Sequence, residues 1–214
     1  MSKPDFTLVE LPVPNQVRSQ QALERLLAAG EQLLAENRFE EASVAEIARL
    51  ADSSVGSFYR LLGDKDTLSL LLLQRFMRQV ATTAESLGEA GGECTDLAQC
   101  VQLLVDSYVG IYAGHRGVLR ALILRASRSA DFRDKVHQLN NHVSTTALEC
   151  LRPFVDQINH AKPELAIPAG VHMMLGVMNQ YIVTGSLGGL PQAELRRELG
   201  RLLLCYLQAP ADCY

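Results

Sequence analysis

The chain has 214 residues, 48% of them apolar, and a net charge of −4. The apolar share excludes a disordered chain, and the length supports one large or two small domains with cores of their own. The acidic balance excludes a protein that coats nucleic acid over its whole surface, so any such contact has to come from a local basic patch.

Residues 1–17 carry Pro4, Pro12 and Pro14 with no helical period. They hold a single Lys and no long apolar run, so they read as an extended or disordered arm and not as a signal peptide. Arg18, at its end, reads as a solvated charge or a reach toward a phosphate. A helix is expected over Ser19–Glu36, because Leu23, Leu26, Leu27, Leu33 and Leu34 recur at helical spacing. Asn37 is its stop. Phe39 is expected to plug a small core with Ile47, Leu50, Phe58 and Leu68.

Ser43 to Lys65 reads as two short helices followed by the start of a third. Ser43 and Glu46 have capping-box spacing: the Ser hydroxyl can accept from the Glu46 N–H, and the Glu carboxylate can reach back to the Ser43 N–H. Val44, Ile47, Ala48 and Ala51 share one face. Asp52, Ser53 and Ser54 break the pattern, since each can hydrogen-bond nearby backbone. Ser54 is the expected N-cap of a second helix from Val55 to about Leu61. Gly63 is its stop and Asp64 the next cap. Such a pair can set its second helix into a DNA major groove. The second helix offers Ser54, Val55, Gly56, Ser57, Tyr59 and Arg60. Ser43 caps the first helix and Lys65 sits in the first turn of the third. The same geometry also occurs in helical proteins that bind no DNA, so spacing alone leaves both readings open.

A long helix is expected from Lys65 to about Leu87. It is rich in Leu on more than one face (Leu68, Leu70, Leu71, Leu72, Leu73), so it should pack on two partners and connect the halves of the chain. Gly88–Thr95 is expected to be a loop. Further helices are expected over Asp96–Ala113, Arg116–Ser127, Asp131–Ile158, Glu164–Thr184 and Gln192–Leu207. No strand alternation, repeat or low-complexity tract is present, so the fold class is all-α. Leu165–Thr184 has the length of a membrane span, but Pro168, His172, Asn179 and Gln180 interrupt it and no basic asymmetry flanks it. It reads as a buried helix, and no membrane partner is expected.

The five cysteines, Cys94, Cys100, Cys150, Cys205 and Cys213, are widely spaced with no C-x-x-C. They fit reduced thiols in a cytoplasmic protein and neither a disulfide framework nor a zinc site. His115, His137, His142, His160 and His172 are scattered, and His137 and His142 miss the i, i+4 spacing that puts two ligands on one helical face. No nucleophile motif or Gly-rich phosphate loop occurs. No catalytic residue, metal or cofactor is therefore expected.

A small-molecule pocket among the helices is expected instead. The residues assigned to it are Phe76, Leu104, Tyr108, Tyr112, His115, Met173, Met174, Val177 and Tyr181, with Val80, Ile111 and Leu122 as further wall candidates. Gln180, Arg120 and Asn141 are additional polar candidates. Met173, Met174 and Met178 suggest an adaptable wall. Any one of these is equally an ordinary core residue.

From Gln21 to about Leu73 the chain resembles the DNA-binding domain of TetR-family transcriptional regulators. The resemblance lies in AAGEQLL at Ala28–Leu34, ASVAEIA at Ala42–Ala48, SVGSFY at Ser54–Tyr59 and KDTL at Lys65–Leu68. Two positions depart from the family's pattern. Asp52 stands where the family usually has Gly, in a turn expected to need positive φ. Leu61 and Leu62 replace the aromatic pair after the Tyr. The resemblance implies a helix-turn-helix domain over 18–65, joined by the long helix to a ligand-binding and dimerisation domain over 66–214. It implies a homodimer on a palindromic double-stranded DNA operator, released by a small-molecule inducer of unknown identity that tilts the long helix. Ser43, Tyr59 and Lys65 would lie on phosphates, with Ser57 and Arg60 on bases. The dimer would form through Val171–Thr184 and Leu195–Leu207. The apolar stripe Leu195, Leu199, Leu202, Leu203 and Tyr206 agrees with that, with Arg196, Arg197, Glu198 and Arg201 outside it. The alternative is an all-α small-molecule-binding or adaptor protein without DNA binding.

Overall fold

The structure, a computed structural model, describes residues 5–10, 17–187 and 189–209. The readings of Pro4, Pro12, Pro14 and Cys213 fall outside these residues. All regular structure among the described residues is helical: α1 Val17–Ala35, α2 Val44–Leu50, α3 Val55–Leu62, α4 Lys65–Ala90, α5 Leu97–Gly114, α6 Arg116–Arg128, α7 Ala130–Leu151, α8 Pro163–Thr184 and α9 Gln192–Gln208.

The N-terminal helices begin and end where local chemistry dictates. Asn37 takes φ 58° after α1, and the Arg38 N–H closes back on the Leu33 carbonyl at 2.8 Å. Ser43 caps α2 by accepting from the Glu46 N–H, Ser54 caps α3 from the Ser57 N–H, and Asp64 caps α4 from the Thr67 N–H. The capping box is only half made. The Glu46 carboxylate pairs with Arg38 at 2.6 Å, because an arginine within reach is a stronger partner than a backbone amide. Phe39, Ile47, Phe58 and Leu68 are buried together as expected, with Leu50 half-buried at their edge.

α4 is the spine. Leu68 and Leu72 pack against α1 at Gly30, while Phe76, Met77, Val80, Ala84 and Leu87 continue the buried core along α4. The expected loop over Gly88–Thr95 is mostly helical. α4 runs on to Ala90, and a 3₁₀ turn follows over Gly91–Glu93. Gly91 is there for close approach: a Cβ on it would stand 2.6 Å from the Cys150 Sγ and 2.8 Å from the Cys150 carbonyl oxygen. α7 stops at Leu151, short of the expected Ile158, and a 3₁₀ turn runs over Arg152–Gln157. Pro153 accounts for that stop, since it lacks the N–H that an α-helix needs and crowds the preceding turn.

The N-terminal arm is not free where it is described. Residues 5–10 lie across α4 and α7. Phe6 is only 4% exposed and meets the His142 ring edge-on at 6.5 Å. The N–H groups of Leu8 and Val9 both donate to the buried Gln74 Oε1, at 2.6 and 3.1 Å. Lys135 donates to the Asp5 carbonyl at 2.9 Å, and Arg78 to the Thr7 hydroxyl at 3.0 Å. Burial of Phe6 opposes the entropy that would free such a segment. Among the described residues no helix is long and apolar enough to cross a membrane.

Candidate functional site

α3 is held by Phe58 and Leu62, both turned into the core. Helical periodicity then presents the opposite face outward. Tyr59 is 53% exposed, and Val55, Gly56 and Arg60 are exposed beside it. The Tyr59 ring leans edge-on against Phe58 at 5.7 Å, which limits its swing. Ser54 and Ser57 are linked to each other: Ser54 Oγ accepts from the Ser57 N–H at 3.1 Å and donates to the Ser57 Oγ at 3.0 Å. The turn before α3 is locked by Arg25, which donates from α1 to the carbonyls of Ala51 at 2.9 Å and Asp52 at 3.3 Å.

Charge on the N-terminal helices is sorted by pairing. Arg38 is tied to Glu36 at 3.0 Å and to Glu46 at 2.6 Å, and Arg75 to Glu24 at 2.8 Å. Arg49 and Arg60 are exposed and their side chains make no hydrogen bond or ion pair among the described residues. In a chain of net charge −4 they are two exposed cations on α2 and α3 with no side-chain counter-charge among the described residues. Lys65 is used differently. Its ammonium donates to the carbonyls of Glu40 at 2.7 Å and Ala42 at 3.1 Å and lies 5.1 Å from the Phe39 ring centroid. It clamps the loop between α1 and α2 and keeps one N–H for another partner. Ser43 is exposed, with its hydroxyl accepting at the α2 cap.

A cavity of about 190 Å³ lies in the second half. Phe76 and Val80 line it from α4, and Tyr108, Ile111 and Tyr112 from α5. Leu119, Leu122, Ile123 and Ala126 come from α6, Val136, Leu139, Asn140 and Val143 from α7, and Leu175 and Asn179 from α8. The Tyr112 hydroxyl donates to Asn179 Oδ1 at 3.1 Å. Burial pushes the phenols of Tyr108 and Tyr112 well above their ordinary pKa, so both stay neutral.

Of the residues assigned to the pocket from sequence, Phe76, Tyr108 and Tyr112 line it, as do Val80, Ile111 and Leu122. The others do not. Leu104 and Met174 are buried in the surrounding core, and Met173 faces outward. His115 is held by its Nδ1 at 3.0 Å from the Ile111 carbonyl oxygen. Val177 is half-buried outside the wall, and Tyr181 lies under the Arg116 guanidinium at 5.1 Å. Arg120 donates to Asn37 Oδ1 at 3.0 Å, and Asn141 and Gln180 are exposed. The methionines of α8 therefore serve the core and the outer face, not the wall. The wall residues missed are largely on α6 and α7. Their helical stripes, Leu119–Leu122–Ile123–Ala126 and Val136–Leu139–Asn140–Val143, were a usable signal.

α5 and α7 also bring two thiols together that the wide spacing kept apart. Cys100 and Cys150 are buried with their sulfurs 3.1 Å apart, both free. The hydrogen bond with Cys150, and then burial, push the Cys100 thiol up. Among the described residues no three His, Cys, Asp or Glu side chains gather where they could hold a metal ion.

Residues 96–207 match the family model described as tetracyclin repressor-like, C-terminal domain. No curated protein matches the chain. A chain from Mesorhizobium loti assigned to TetR-family transcriptional regulators has a TM-score of 0.71 at 21% identity, covering 90% of this chain and 98% of that one. The fatty acid degradation regulator FadR from Bacillus halodurans has a TM-score of 0.62 at 18% identity, covering 86% of this chain and 94% of that one. The transcriptional regulator FadR from Bacillus subtilis, in complex with stearoyl-CoA, has a TM-score of 0.58 at 16% identity, covering 85% of this chain and 97% of that one.

Proposed function

The chain belongs to the TetR family of transcriptional regulators, and from that premise we propose that it is a dimeric repressor that leaves its DNA operator when a small molecule fills the cavity. The observation that carries this reading is the outer face of α3, where Tyr59 and Arg60 stand exposed on a helix anchored by Phe58 and Leu62. We assign residues 18–65 to DNA binding and 66–214 to effector binding and dimerisation. Tyr59 contacts a phosphate, Arg60 a base edge, and Arg49 the flanking backbone. Ser43, Ser54, Val55, Gly56 and Ser57 bring the backbone of α2 and α3 close to the duplex. Lys65 acts first as a clamp and second as a phosphate contact.

Dimerisation supplies the second recognition helix that a palindromic site requires. The outer face of α8 supports it. Leu165, Met173 and Val183 are exposed there at 59%, 45% and 54%, an apolar row that a second copy would cover. α9 offers its outward positions to the same contact. Leu195, Leu199 and Leu203 are buried inside the protomer, and Leu202 and Cys205 remain outward.

Release follows from α6, which walls the cavity on one side and touches the DNA-binding half on the other. Arg125 holds Asp66 through two bonds of 2.6 and 3.0 Å, and Arg120 holds Asn37. A ligand that displaces α6 moves α1 and the start of α4 with it. This adds α6 to α4 as the lever. Coupling of this kind typically amounts to ~1–3 kcal/mol. A relative of the same fold carries stearoyl-CoA, which supports effector binding as the role of this half.

Operator binding by fluorescence polarisation tests the reading. Tyr59→Ala and Arg60→Ala should each weaken it about tenfold or more with unchanged folding stability. Lys65→Ala should weaken it and also lower stability by about 1 kcal/mol, because two loop carbonyls lose their donor. Unchanged affinity in Tyr59→Ala and Arg60→Ala together would refute DNA recognition through α3 and favour an all-α ligand-binding protein without DNA binding.

A further inference from the structure

We propose that the effector is an uncharged, largely apolar molecule of about one substituted ring, carrying a hydrogen-bond acceptor that docks on Asn179. This rests on the effector reading of the second half and gives that site its ligand class.

Size comes first. An engineered apolar cavity of about 150 Å³ takes benzene, so about 190 Å³ admits a ring with a short substituent and not a long acyl chain. Charge comes second. No Lys, Arg, His, Asp or Glu lines the wall. α6 is rich in arginine, yet each of three is directed elsewhere: Arg116 over the Tyr181 ring, Arg120 to Asn37 and Arg125 to Asp66. An ion inside would lose its hydration and find no counter-charge. The third element is polarity. Asn179 Oδ1 already accepts from Tyr112, which leaves the Asn179 amide N–H groups to donate, beside the Tyr108 hydroxyl, which is buried in the wall with no hydrogen-bond partner among the described residues. Asn140, the other amide of the wall, has no such tie to fix which end faces inward. Phe76 and the two tyrosines offer edges and faces to an aromatic ring.

The test uses the full-length protein without DNA and four probes of matched size: acetophenone, ethylbenzene, benzoate and benzylammonium, titrated by calorimetry at pH 7. Acetophenone should bind about fivefold tighter than ethylbenzene, the equivalent of one net hydrogen bond. Both ions should bind at least about a hundredfold more weakly than acetophenone. In Asn179→Leu the preference for acetophenone over ethylbenzene should vanish while ethylbenzene binding persists. Benzoate or benzylammonium binding as tightly as acetophenone would overturn the proposal. So would the absence of binding by all four probes at millimolar concentration, or a ketone preference that survives Asn179→Leu. The wild-type charge series decides the question even if the variant fails to fold. A protein that binds acetophenone but ignores DNA would refute the operator reading and leave the ligand class standing.

Discussion

At Gly63 the backbone takes φ 77° and ψ −52°, which turns the chain from α3 into α4. A Cβ there would meet nothing within 4 Å, so the cost of a side chain is conformational and not steric. Gly63→Ala should therefore lower unfolding free energy by ~1–2 kcal/mol in urea titration. Asp52 is the useful contrast. It holds φ 46° in the turn between α2 and α3, a region that Asp tolerates better than most residues. Asp52→Gly should leave stability within about 0.5 kcal/mol of wild type, because strain relieved in the folded state is offset by freedom gained in the unfolded chain. The departure at Asp52 from the family's usual Gly is thus absorbed by local backbone chemistry. Lys65 shows the other way a residue escapes a sequence reading. Its type and position fit a phosphate contact, but only the folded loop reveals the carbonyls of Glu40 and Ala42 that occupy it.

Among the elements, α6 carries the most consequence for its length. Leu119, Leu122, Ile123 and Ala126 face the cavity, while Gly117 lies against the end of α1. A Cβ on Gly117 would fall 2.3 Å from both the carbonyl carbon and oxygen of Leu34 and 2.5 Å from the Ala35 nitrogen. Those are backbone atoms, which cannot swing away as a side chain can. Gly117→Ala should therefore cost about 2 kcal/mol or more in thermal or urea unfolding. Gly114→Ala, at the end of α5 with nothing within 4 Å, should cost nothing measurable and is the control. If α6 is the lever, Gly117→Ala should also reduce the effect of a bound ligand on DNA affinity, since the contact that transmits the motion is forced apart.

At the scale of the whole molecule, the proposed dimer would rest on the exposed apolar residues of α8, Leu165, Met173 and Val183. Met173→Glu combined with Val183→Glu changes only exposed side chains, so each protomer should keep its helical circular dichroism. The pair should shift the protein from dimer to monomer by light scattering and abolish tight operator binding, because one half-site alone gives far less affinity than two. A variant that stays dimeric would move the interface off α8. The N-terminal segment belongs to this scale as well. By crossing α4 and α7, residues 5–10 tie their own end of the chain to these two helices.

The short helices, their caps and their turns were legible in the sequence because they are set within a few residues. Ser43, Ser54, Gly63 and Asp64 each act on backbone three or four positions away, and helical periodicity then fixes which side of α3 is buried. The all-α class followed from the same local signals. Only the tertiary structure decided the cavity wall, the docking of Phe6 on His142, the meeting of Cys100 with Cys150 and the inward use of Leu195, Leu199 and Leu203. Helices that are apolar on two faces say that they have two neighbours but not which ones. That choice depends on how all the helices pack at once, where a glycine at position 91 or 117 lets two backbones touch.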